Sequence, residues 1–224
     1  GGRSDEGPPN HQVLVFDPTS RKISIAAFTY SRSDAAAAYS PLTNAIYLFG
    51  GSPSAASPTA GSADVFRVDV HGLSGQVINL AQSRLPLSDA GQSAVLDPST
   101  GLIYIVGGLR QPDVLAFDPL EQRIWRTQQT TVDPFGTTAA TGYLSSVVYS
   151  PLSRQALQIG GGASPSSTGS AGVRRIPLGD GVAIPQERWD FPDWTAPPRD
   201  VAGSRSLIVV TSADRLELRS GSNL

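Results

Sequence analysis

Short apolar runs recur along the chain, separated by stretches rich in Gly, Pro, Ser and Asp. No segment keeps an apolar residue at a helical period of about 3.6, so the pattern predicts strands, with helix only as stray turns. Runs 45–49 and 102–106 are apolar at nearly every position instead of alternating. A strand reads that way when both of its faces are covered.

The runs repeat in register. Tyr39-Ser-Pro-Leu-Thr-Asn-Ala-Ile-Tyr-Leu-Phe-Gly-Gly51, Leu96-Asp-Pro-Ser-Thr-Gly-Leu-Ile-Tyr-Ile-Val-Gly-Gly108 and Tyr149-Ser-Pro-Leu-Ser-Arg-Gln-Ala-Leu-Gln-Ile-Gly-Gly161 align without a gap. Pro41, Pro98 and Pro151 each stand nine residues before a Gly doublet, and the doublets begin 57 and 53 residues apart. Each unit reads as an antiparallel hairpin: one apolar run, a turn holding Pro and then Asn44, Gly101 or Arg154, and a second run. The doublet ends the second strand, where Gly tolerates the reversal. Third strands are predicted at 64–69, 113–118 and 172–177, and fourth strands at 122–126 and 186–189. Four short strands in about 55 residues, repeated, are the mark of a propeller blade.

The apolar run, the Gly doublet and later aromatic positions resemble the kelch repeat. The best copy is Ile103-Tyr-Ile-Val-Gly-Gly108 followed by Phe117 and Trp125; the copy at Gly50 has Val77 or Ile78 in place of the Trp, and the third copy lacks the aromatic in its third strand. The resemblance covers essentially the whole chain and implies an all-β, kelch-type β-propeller of four-stranded antiparallel blades. It implies no one activity, because propellers host enzymes, lectins and scaffolds alike.

The ends extend the repeat. Segment 11–18 matches 113–119 as a third strand, and 21–25 follows as a fourth; 206–221 aligns with 146–161 at a constant offset of 60, as first and second strands. The expected organisation is a half blade (1–28), blades at 33–80, 86–128 and 138–190, and a complementary half blade (200–224). The two halves could complete one blade and close a four-bladed ring. Because kelch propellers are usually six- or seven-bladed, part of a longer propeller is the favoured expectation, as is a processed or truncated product, since the sequence has no Met.

Composition removes several function classes. The 224 residues are 39% hydrophobic and 16% charged, enough apolar content for a core and too little charge for a disordered tail. A formal charge of -2 gives no overall field to draw nucleic acid or an anionic membrane. No apolar stretch is long enough to cross a bilayer. Cysteine is absent, which excludes disulfides, Cys-based zinc sites and thiol nucleophiles. No Asn-X-Ser/Thr acceptor occurs, and Lys22 is the only lysine.

Candidate chemistry is sparse. His11 and His71, the only histidines, have no carboxylate or second His at ligand spacing, so ordinary surface roles and no metal are expected. Segment 160–172 is Gly-rich but lacks a Gly-Lys-Ser/Thr ending and precedes a strand, so it reads as a connector, as does 52–62. There is no Gly-X-Ser-X-Gly elbow. Galactose oxidase, an enzyme built on kelch-type blades, uses a Cys cross-linked to Tyr at its copper site, and a chain without Cys cannot supply that centre. Asp17, Asp69 and Asp118 recur at the ends of third strands; an Asp-Pro turn accounts for them at Asp17 and Asp118, where the carboxylate can take backbone N–H groups. Trp125, Trp189, Phe16, Phe66 and Phe117 are expected in the core between blades.

The expected function is a non-catalytic binding or scaffold module with no cofactor, taking a protein partner and neither nucleic acid nor membrane. The alternative is part of a galactose-oxidase-like enzyme or carbohydrate-binding propeller whose active groups lie outside this segment. In such a fold the connections from second to third strand, and from fourth to the next first strand, share one face. Here they are the long ones: 26–36, 52–62, 81–92, 127–143, 163–171 and 190–204. That face is expected to present Arg32, Asp34, Arg84, Asp89, Arg110, Arg199 and Asp200 to the partner.

Overall fold

In a computed structural model of the chain, every regular element among the described residues is a strand, and each sheet is antiparallel in sequence order. The structure describes residues 12–53, 60–71, 74–110, 113–128, 144–151, 153–162 and 172–179, and the backbone of strands 188–190, 200–203, 207–211 and 216–220. The expected propeller architecture is present.

β1 (Gln12–Asp17) and β2 (Lys22–Thr29) make a two-stranded sheet. β3 (Ala36–Ser40), β4 (Ala45–Phe49), β5 (Val65–His71) and β6 (Ser74–Asn79) make the first four-stranded blade. β7 (Gln92–Leu96), β8 (Ile103–Gly107), β9 (Val114–Asp118) and β10 (Arg123–Gln128) make the second. β11 (Ser146–Ser150), β12 (Gln155–Ile159), β13 (Gly172–Pro177) and β14 (Arg188–Asp190) make the third. The first strands β3, β7 and β11 stand side by side, and β2 lies against β6, fourth strand to fourth strand.

The last sheet differs from expectation. β16 (Leu207–Thr211) pairs with β17 (Leu216–Ser220) as the predicted hairpin, but β15 (Asp200–Gly203) pairs with the other edge of β16 and lies beside β11. The hairpin therefore supplies second and third strands, not first and second. The apolar run of β16 takes the central place, where a strand is covered on both faces. Asp200 thus belongs to a strand and not to a loop. This three-stranded sheet and the β1–β2 pair are separate sheets.

The unbroken apolar second strands are explained by packing on two sides. Ile103 and Ile105 of β8 join Tyr47, Phe49, Leu115 and Phe117 in one buried cluster, while Tyr104 and Val106 join Val114, Ala116, Ala156 and Ile176 in the next. Phe117 meets Tyr47 at 4.9 Å and Phe49 at 5.3 Å between ring centroids, across the junction of two blades. Burial of one such side chain contributes about 1.5–3 kcal/mol.

The turns on one side share a form. Asn44, Gly101 and Arg154 all have positive φ (51°, 77° and 53°), as do Arg21 and Gln122 in the turns between third and fourth strands. Asp17 Oδ1 accepts the Thr19 N–H at 2.9 Å, and Asp118 Oδ1 accepts the Leu120 N–H at 2.8 Å, as predicted for Asp-Pro turns. Asp69 instead pairs with Arg67 Nε at 2.7 Å. Phe16 is no core residue: it is 59% exposed, because among the described residues no blade covers that side of the β1–β2 sheet. Trp125 packs partly buried against the second cluster, beneath the Arg123 guanidinium at 5.1 Å; the Trp189 side chain and His11 lie outside the described residues.

Candidate functional site

Among the described residues, the predicted long connections 26–36, 52–62 and 81–92 meet on one face and their backbones lock together there, whereas 163–171 and most of 127–143 and 190–204 lie outside the described residues. Ser33 and Ser52 exchange N–H···O bonds of 3.0 and 2.7 Å, joining the β2–β3 and β4–β5 connections. Leu85 N donates to Ala63 O at 2.9 Å, and Gly51 N to Asp89 O at 3.0 Å, which adds the β6–β7 connection. The Gly doublets make this possible. Gly51 (φ +82°) lies so near the Ser33 carbonyl that a Cβ would stand 2.8 Å from its oxygen, and one on Gly108 (φ +108°) would stand 2.3 Å from Asp89 Oδ2.

Asp89 braces this face from within. It is 1% exposed, and its Oδ1 accepts the N–H groups of Ala90 (2.8 Å), Leu109 (2.7 Å) and Arg110 (3.0 Å). The expectation that Asp89 reaches a partner is corrected: its buried carboxylate accepts three backbone N–H groups of the neighbouring loops, one of which, Leu109, also donates to the Ala90 carbonyl at 3.1 Å. Asp34 is half-buried in a left-handed conformation (φ +55°), and its carbonyl takes the Gly91 N–H at 2.8 Å. Arg110 is exposed.

Two arginines converge on one carboxylate. Arg32, from the β2–β3 connection, donates to Asp64 Oδ2 at 2.9 Å; Arg84, from the β6–β7 connection, approaches Asp64 Oδ1 at 3.5 Å. The Ser62 hydroxyl donates to Asp64 Oδ2 at 2.7 Å and in return accepts the Asp64 N–H at 3.0 Å. The arginines are unlike in freedom, for the Arg32 side chain is 15% exposed and that of Arg84 60%. Arg32 also lies over Phe66 at 5.6 Å, and Phe66 meets Tyr30 edge-on at 5.5 Å. Burial pushes the Tyr30 hydroxyl up to about 12, against the pull of the nearby Arg32 charge. So Arg32 is a half-sequestered strut where sequence reasoning expected a projecting side chain.

Of the expected partner residues, Arg32, Asp34, Arg84, Asp89 and Arg110 do lie on the common face. Arg199 lies outside the described residues, and of Asp200 only its place in β15 is described. Asp64 was missed. A signal for it existed: Asp64 and Asp113 both stand immediately before a third strand, and Asp113 likewise binds an arginine, Arg126, at 3.1 Å.

Comparison with solved structures agrees with the fold. The chain is similar to hydrazine synthase from Kuenenia stuttgartiensis (TM-score 0.55, 18% identity, 89% of this chain and 49% of that one). It is similar to a fungal alcohol oxidase of the AA5 family in complex with copper (TM-score 0.55, 15% identity, 92% and 45%), and to YjhT (TM-score 0.53, 13% identity, 94% and 52%). The chain is a propeller fold. It spans about half the length of these structures. No family model and no curated protein matches it. Among the described residues no three His, Cys, Asp or Glu side chains are grouped to hold a metal ion.

Proposed function

We propose that this chain is a kelch-type binding module without catalysis of its own, taking an acidic protein partner on the face of the long connections. The observation that carries the reading is the convergence of Arg32 and Arg84, from two connections, on Asp64 from a third. Arg84 is held at 3.5 Å and 60% exposed, so a competing carboxylate can reach its guanidinium and form two parallel N–H···O bonds. Arginine is a frequent anchor at protein interfaces. Backbone bonds between the connections already order this face, which reduces the entropy that binding must spend.

An array of Asp- and Glu-rich peptides probed with the full chain tests this. Joint Arg84→Ala and Arg110→Ala substitution should weaken binding about tenfold or more. Arg123→Ala, at the end with the short turns, should leave binding unchanged. Equal binding by the double variant, or turnover of an alcohol or sugar by the purified chain, overturns the proposal.

A further inference from the structure

The β1–β2 sheet has two unlike faces. On the side toward β6, Ala26 is buried and Ser24 and Phe28 are half-buried, with Phe28 Cε1 2.8 Å from where a Cβ on Gly75 would stand. On the other side Leu14, Phe16, Ile23 and Ile25 are 59, 59, 67 and 58% exposed. The register pairs Leu14 with Ile25 and Phe16 with Ile23, so the four make one contiguous apolar patch. Isolated exposed apolar side chains are ordinary, but four large ones joined on a sheet face mark a contact surface.

The repeat identifies what such a face meets. Val13-Leu-Val-Phe-Asp17 and Val114-Leu-Ala-Phe-Asp118 differ at one position. Leu115 and Phe117, the counterparts of Leu14 and Phe16, are both 0% exposed. Phe117 is covered by Tyr47 and Phe49, from the second strand of the blade before it, and Ile124, the counterpart of Ile23, packs against the same cluster. At Leu14, Phe16 and Ile23 the two strand pairs carry the same residues, and there the covering blade is the difference; Ile25 instead corresponds to Arg126, whose side chain is 51% exposed and pairs with Asp113 at the margin of the junction.

We infer that Leu14, Phe16, Ile23 and Ile25 form a docking face for a further propeller blade, whose second strand presents aromatic or aliphatic residues two apart, as Tyr47 and Phe49 do. At Leu14, Phe16 and Ile23 the patch reproduces one side of a junction whose other side the structure shows elsewhere in the same chain, and Ile25 extends it at the margin. It is independent of the arginine-bearing face.

The test supplies that blade. Residues 33–113 are duplicated ahead of residue 13, so that a copy of β3–β8 precedes β1 as the original precedes β9. The extended chain should melt roughly 5 °C or more above the parent, and its fluorescence with anilinonaphthalene sulfonate should fall several-fold. Phe16→Asp should cancel the gain in melting temperature in the extended chain, yet move the parent's melting temperature by less than about 2 °C. An extended chain that melts no higher, or that is indifferent to Phe16→Asp, overturns the inference. Destabilisation of the parent by Phe16→Asp as large as that by Phe117→Asp overturns it too, because the face would already be covered within the chain. A parent dimer that Phe16→Asp dissociates assigns the face to a second copy instead.

Discussion

Asp89 Oδ1 accepts the N–H of Leu109 at 2.7 Å, a bond from the connection that opens the second blade to the one that follows its Gly doublet. The same oxygen holds the Ala90 and Arg110 N–H groups, so one buried carboxylate orders two connections at once. Asp89→Ala should cost about 2–4 kcal/mol, because three backbone donors lose a charged acceptor. Asp89→Asn keeps an oxygen but not the charge and should cost less. Urea unfolding of both variants checks the order, and an unaffected alanine variant would show that water replaces the carboxylate.

The Gly doublet and the turn position before it give opposite answers to substitution. Gly108 has φ +108°, and an added Cβ would stand 2.3 Å from Asp89 Oδ2, a group already committed to its place. Gly108→Ala should therefore destabilise by about 3 kcal/mol or more. Asn44 is left-handed as well, at φ 51°, but exposed in a turn, and Asn44→Gly relieves that conformation at the loss of a 2.9 Å bond from the Tyr39 hydroxyl. Its change should stay within about 1 kcal/mol. Thermal melts of the two variants distinguish a packed glycine from a merely left-handed one.

Acid should weaken the second blade through Asp97. Burial raises its carboxyl pKa, but bonds from the Ser99 hydroxyl and N–H, the Thr100 hydroxyl and the Tyr149 hydroxyl outweigh burial and leave it below its ordinary 3.8. The folded pKa is thus lower than the unfolded one. The stabilisation is complete above pH 3.8 and is lost as the pH falls through the folded value. Tyr149 belongs to the next blade, so protonation should loosen a junction as well as a turn. Urea midpoints of the chain and of Asp97→Asn should differ most near neutrality and converge in acid; a gap that stays constant with pH refutes the assignment.

The repeat was legible because blade packing repeats. β8 is covered on both faces and β4 is buried on one and half-buried on the other, so both read as unbroken apolar runs, and the left-handed turn positions before the doublets hold Asn, Gly or Arg at a fixed spacing. The place of β15 was not legible. Asp200-Val-Ala-Gly203 is short and has little apolar pattern, and only pairing with β16 makes it a first strand. Exposure on the long-loop face was the weakest reading. Sequence position puts Asp89 and Arg84 in the same connection, five residues apart, but the first is 1% exposed and the Arg84 side chain 60%. What separates them is which one faces the amides of another connection, a relation between distant parts of the chain that no local pattern contains. Phe16 shows the converse: its sequence context equals that of Phe117, and a neighbouring blade decides its burial.

The two arginines on Asp64 should separate stability from binding. Arg32 is 15% exposed, donates to Asp64 at 2.9 Å and lies over Phe66 at 5.6 Å, so its alanine variant loses a partly desolvated ion pair and a cation–π contact. That should destabilise by about 1–3 kcal/mol. Arg84 is 60% exposed at 3.5 Å from the same carboxylate, a pair whose loss should cost no more than about 0.5 kcal/mol. Joint alanine substitution of Arg32, Arg84 and Arg110 therefore confuses folding with recognition, since the first residue is a strut. Arg84→Ala with Arg110→Ala should instead leave the melting temperature within about 2 °C of the parent while weakening capture of acidic peptides. Added salt should weaken the parent's capture in the same direction, because exposed charge pairs are screened over about 8–10 Å. If Arg32→Ala is as harmless to stability as Arg84→Ala, the cluster is a loose surface pair and the strut assignment fails. If the double variant captures acidic peptides as well as the parent, recognition lies elsewhere on the propeller.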